Sequence, residues 1–117
     1  MIRARYERDK GAGYHHLLIR GHADAAPHGH DIVCAGVSAI AFALMEYIAK
    51  HEDHIISPPQ VEPGMVEILV ASDREGTEAA FEVAAIGLKQ LAIHHPHHVE
   101  FEYLRDSADD TREKTPR

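Results

Sequence analysis

The sequence predicts an α/β domain of the α+β kind, ordered strand-strand-helix-strand-helix-strand, with one mixed sheet and two helices packed on one face. Three observations carry this. Apolar residues alternate with polar ones near both ends of the chain, apolar residues recur at three and four positions in two long stretches, and a glycine-containing turn separates the first two extended segments.

Ile2, Ala4 and Tyr6 alternate with Arg3, Arg5 and Glu7, the period of a half-buried strand. Asp9-Lys10-Gly11-Ala12-Gly13 then reads as a turn, and Tyr14 to Arg20 resumes an extended pattern with Leu17 and Ile19 on one face. A hairpin follows from that pair. Ala23 to His30 contains Pro27 and Gly29 and reads as a loop. From Ile32 to Lys50 the period becomes helical, because Val33, Val37, Ile40, Leu44 and Ile48 return at three and four residues behind the capping candidate Asp31. Its other faces are apolar too, so the helix should be covered on more than one side, by the sheet and by a second copy of the chain. Ser57-Pro58-Pro59 breaks that pattern, and Met65 to Ala71 reads as a third strand. Ser72 and Glu75 have the spacing of a capping box for a second helix, whose stripe is Phe81, Ala84, Leu88, Leu91 and Ala92. Val99, Phe101 and Tyr103 form a last strand. Residues 1–104 thus make one domain, and the charged segment 105–117 reads as a disordered tail.

Composition narrows the function. The chain has 117 residues, 44% of them hydrophobic, and a formal charge of −7 from 19 acidic and 12 basic residues, which argues against direct nucleic-acid binding. Its single cysteine cannot form an internal disulfide, and no apolar stretch near the N-terminus has both the length and the flanks of a signal peptide or membrane span. A cytoplasmic protein without membrane contact is the expectation.

That cysteine is the chemical clue. With Asp31 as cap, Cys34 stands at about the third position of the helix, where unpaired amides and the helix dipole favour an anion and lower the pKa of a thiol. A histidine within reach completes a nucleophile, and His22, between a strand end and a small-residue loop, is best placed by sequence. Amides near the helix start are also candidates for holding an oxyanion. Each feature has a plainer reading. A cysteine among valine, isoleucine and alanine is commonly an inert core residue. Asp31 needs no role beyond capping, and Ser38, one turn past Cys34, can simply bond back to the preceding turn. Gly36 suits close approach of another backbone or of substrate, or merely avoids bulk in packing.

Gly21-His22-Ala23, the loop with Gly29, and the run Asp31-Ile32-Val33-Cys34-Ala35-Gly36-Val37-Ser38-Ala39 resemble the signature of the ribosomal-processing cysteine protease family. The resemblance implies a small, cytoplasmic, homodimeric cysteine endopeptidase that removes an N-terminal extension from the twenty-seventh protein of the large ribosomal subunit. It matches Cys34 to the nucleophile, His22 to the general base and Asp31 to a motif acid, as cap or as orienter. Gly21, Ala23, Gly29 and Ser38 become substrate-binding candidates, and no cofactor or metal is called for. Asp24 and Ala25 depart from the glycine and aromatic residue usual after that histidine, and His28 and His30 are also unusual.

Two other classes compete. Eleven histidines, with His94-His95-Pro96-His97-His98 and the pair His51 and His54, suggest a metal-binding module, although neither cluster has a defined structural-zinc spacing. A noncatalytic ribosome-assembly domain would also suit a short acidic chain with an apolar helix. His15 and His16 read as ordinary strand positions on opposite faces.

Overall fold

Side chains of Ile2, Ala4 and Tyr6 in strand β1 (Ile2–Asp9) and of His15, Leu17 and Ile19 in β2 (Tyr14–Arg20) are buried, because alternation sends each set to one face of an antiparallel hairpin. The computed structural model describes residues 1–22, 31–51, 58–105 and 112–114. After β2 come helix α1 (Ile32–His51), strands β3 (Gln60–Glu62) and β4 (Met65–Ala71), helix α2 (Glu75–His94), and strands β5 (Val99–Arg105) and β6 (Arg112–Lys114). The sheet order is β3-β4-β2-β1-β5-β6. Among the described residues only β1 and β5 pair in parallel; the other neighbours are antiparallel. Since β4 and β5 both run with β1, α2 is a crossover that spans β2 and β1.

One core joins the helices to one sheet face. Val33, Val37, Ala41, Leu44 and Ile48 of α1 and Phe81, Ala84, Ala85, Leu88 and Ala92 of α2 cluster with Ile68, Val70, Val99 and Phe101. The helices meet closely: a Cβ on Gly36 would stand 3.4 Å from the Leu91 methyls, and one on Gly87 would stand 2.9 Å from Ile40 Cδ1. Gly36 therefore serves helix packing rather than contact with substrate, and these pairings make α1 and α2 antiparallel. The opposite sheet face is polar. Arg3 pairs with Glu100 at 3.2 Å, Arg5 with Glu7 at 3.0 Å and His16 with Glu67 at 2.8 Å, beside half-buried Leu18 and Leu69. Tyr14 donates a short hydrogen bond to Glu7; that bond holds the Glu7 carboxyl below its ordinary value and pushes the Tyr14 hydroxyl up to about 12.

Several expectations change here. The sheet has two more strands than the alternation pattern gave, β3 and β6. The segment assigned to a disordered tail contains β6, which pairs with β5; residues 106–111 and 115–117 lie outside the described residues. Ser72 and Glu75 do not form a capping box: α2 begins at Glu75 with Arg74 as its uncapped N-cap, and Ser72 Oγ accepts the Arg74 N–H at 3.1 Å instead. Against the expectation that no apolar stretch near the N-terminus has both the length and the flanks of a signal peptide or membrane span, α1 has the length and apolarity of a membrane-crossing helix. A buried side of that helix accounts for the apolarity equally well, since its five buried residues belong to the core. His15 is more than an ordinary strand residue. It is 4% exposed, its Nδ1 lies 2.8 Å from the Tyr6 hydroxyl, and its ring stacks on Phe81. Burial, with Tyr103 adding to it, raises the Tyr6 hydroxyl far above its ordinary pKa.

Candidate active site

The end of β2 and the start of α1 face one cleft of about 770 Å³, with Gly21 and His22 on one side and Asp31, Cys34 and Ser38 on the other. Ile2, Ile19, Val37, Phe42 and Val66 supply its apolar lining. The helix period explains the second wall: Cys34, Ser38 and Phe42 are each four residues apart and so share one side of α1.

Asp31 carries the local geometry of the thiol. Its Oδ1 accepts the N–H groups of Val33 and of Cys34, both at 3.0 Å, and its backbone carbonyl accepts the Ala35 N–H at 3.1 Å. Ile32 is therefore the first helical residue and Cys34 the third, half-buried against the core. The cap has a cost for the oxyanion expectation. Amides of Val33, Cys34 and Ala35 are already engaged and are not open to a second anion. Asp31→Ala is expected to lower stability by about 1 kcal/mol, while Asp31→Asn, which keeps an acceptor, should stay near wild type. Urea unfolding of both variants measures the difference.

His22 is fixed from three directions. Gly21, at φ +95°, makes the turn out of β2, and a Cβ there would stand 2.2 Å from the Met1 carbonyl oxygen. The Gly21 N–H donates to the Gly64 carbonyl at 2.8 Å, and the Met1 amino group donates to the His22 carbonyl at 2.6 Å. The imidazole rests against Gly64 in the turn between β3 and β4.

Of the residues singled out in the sequence, Gly21, His22, Asp31, Cys34 and Ser38 come together in this cleft, whereas Ala23 and Gly29 lie outside the described residues. Val61, Glu62, Pro63 and Gly64 also line it and were missed. Their signal was Pro63-Gly64 flanked by Val61 and Met65, the mark of a tight hairpin. His54 is outside the described residues, and among those residues no three metal-ligating side chains converge.

A small α+β sheet that sets a helix-borne cysteine and a strand-end histidine on one cleft has the layout of a thiol-dependent hydrolase. The chain belongs to the cysteine protease Prp family, whose family model matches residues 1–100. It is similar to the ribosomal processing cysteine protease Prp of Bacillus subtilis, with 40% identity over 48 residues, 41% of this chain and 43% of the relative. That match spans less than half of the relative's length. The Mycoplasma pneumoniae protein of the same name is 30% identical over 92 residues, covering 79% of this chain and 90% of that one. Among solved structures, the essential ribosomal processing protease Prp from Staphylococcus aureus, in complex with a covalently linked product peptide, superposes with a TM-score of 0.74. It is 23% identical, over 88% of this chain and 99% of that one, a likeness of fold. A Streptococcus mutans structure gives a TM-score of 0.72 at 27% identity, over 91% of this chain and 96% of that one.

Proposed function

We propose that this chain is a cysteine endopeptidase that removes an N-terminal extension from the twenty-seventh protein of the large ribosomal subunit, in the cytoplasm. The observation that carries the reading is the shared cleft, in which Cys34 at the capped start of α1 faces the same space as His22. In the proposed reaction the Cys34 sulfur attacks the scissile carbonyl carbon, forming a C–S bond. His22 takes the thiol proton and delivers it to the leaving amine nitrogen as the C–N bond breaks. Water then attacks the thioester, His22 receiving its proton and returning it to the sulfur.

Family membership supports this chemistry, and so does the cleft itself. Its acidic side chains are Asp31 and Glu62, and no lysine or arginine is among its described lining residues, which suits a basic peptide. The named S. aureus relative was crystallised with a substrate peptide, which supports a peptide as the ligand class. Incubation with ribosomal-protein precursors, read by intact mass, tests activity, substrate and cleavage point together. A precursor whose mass is unchanged over hours at micromolar enzyme removes the substrate assignment.

The proposal extends to a homodimer. Ile32 on α1 is 75% exposed, and Val83 and Ile86 on α2 are 68% and 55% exposed, so the helix layer has apolar surface outside the cleft that a second copy can cover. Sedimentation at micromolar concentration is expected to give twice the chain mass; a monomer there rules it out.

A further inference from the structure

We infer that the turn between β3 and β4, acting through Gly64, is a positioning element for the His22 imidazole. This rests on the reading of His22 as the general base. Two contacts that approach Gly64 from different sides carry the inference. Its carbonyl accepts the Gly21 N–H at 2.8 Å, anchoring the residue that precedes the histidine. Its bare Cα meets the ring: a Cβ at Gly64 would stand 2.8 Å from His22 Nε2, 3.4 Å from Cδ2 and 3.5 Å from Cε1. The nitrogen edge of the imidazole is thus the part nearest the turn, and a single methyl group would displace it. Backbone conformation selects the same residue, since Gly64 has φ +75°. The turn therefore anchors the chain at Gly21 and limits how far the nitrogen edge of the ring can move toward Gly64. Placement within fractions of an ångström matters for a proton shuttle, because displacement of about 1 Å lowers a rate by about a hundredfold.

Backbone strain and ring contact can be separated with an internal control. Gly13, in the β1–β2 turn, has φ +74°, nearly that of Gly64, yet a Cβ there has nothing within 4 Å. Asparagine tolerates the left-handed region better than other residues with a Cβ. Gly64→Asn and Gly13→Asn therefore impose matched backbone cost, and only the first pushes on His22. Cleavage of a precursor peptide is expected to show kcat lowered at least about tenfold in Gly64→Asn with KM within about twofold, and Gly13→Asn near wild type. Equal loss in both variants overturns the inference.

A second measurement stands apart from activity. In a double-substitution cycle on the urea midpoint, His22→Ala should relieve most of the destabilisation caused by Gly64→Asn, because it removes the ring that the new side chain strikes. Additive effects overturn the inference even if Gly64→Asn folds poorly. Undiminished cleavage by His22→Ala would instead defeat the general-base reading, and the cycle would still report on the contact.

Discussion

Cys34→Ala is expected to yield a folded protein that no longer trims a precursor peptide. The expected fall in kcat is about ten-thousandfold or more, since removal of a nucleophile from a catalytic pair leaves only what binding and polar contacts supply. Folding should survive because the site asks little of the sulfur. The helix start is set by Asp31 accepting backbone N–H groups, including that of residue 34, and that interaction does not involve the side chain. Cys34 is also only partly buried, and alanine is the better helix former, so the stability change should stay within about 1 kcal/mol. Cys34→Ser tests the same point differently: it keeps the volume and a hydroxyl but a much poorer nucleophile at neutral pH, and should be nearly as inactive. Intact-mass analysis over a time course, alongside urea unfolding, reads both halves of the expectation. Trimming that persists in the alanine variant would show that the chemistry lies elsewhere.

The parts of this molecule that could be read from the sequence are those whose cause is local. Alternation in Ile2-Ala4-Tyr6 and in Val99-Phe101-Tyr103 reflects one buried face, and the spacing of Val33, Val37, Leu44 and Ile48 reflects a helix laid on that face. Asp31 and Cys34 were legible for the same reason, because a cap and the third helical residue are neighbours in the chain. β3 was not, since three exposed residues carry no alternation, and their pairing with β4 is dictated by the Pro63-Gly64 turn instead. The capping box at Ser72 failed because a serine hydroxyl has a competing local partner two residues on, and took it. The seat of His22 was beyond any local rule. Gly64 is 42 positions away in the chain, and only the antiparallel pairing of β2 with β4, which sets Arg20 opposite Met65, brings the two together. Local pattern thus picks out Cys34 and His22 as candidates, while only the fold brings Gly64 against the imidazole.

Phe81→Ala is expected to produce the largest loss of stability among substitutions outside the cleft, about 3–5 kcal/mol. Phe81 is 1% exposed and lies at the centre of a stack: its ring centroid is 5.5 Å from that of Tyr6 and 4.9 Å from that of His15. Truncation removes one of the largest apolar surfaces in the core and leaves a void between α2 and the hairpin. The void has a polar consequence as well. The Tyr6 hydroxyl and His15 Nδ1 lie 2.8 Å apart in the buried core, and loss of the ring packed against both loosens the geometry of their hydrogen bond. Phe81→Leu, which refills most of the space without the stacking, should lose less than half as much. Against a total stability of about 5–15 kcal/mol for a domain of this kind, the alanine variant should melt more than about 10 °C lower. Phe81 is not among the residues that line the cleft, so at temperatures well below the melting midpoint kcat per folded molecule should match wild type. A fall in kcat at full folding would mean that the aromatic stack also shapes the cleft, and a midpoint shift below about 3 °C would mean that the core repacks around the missing ring.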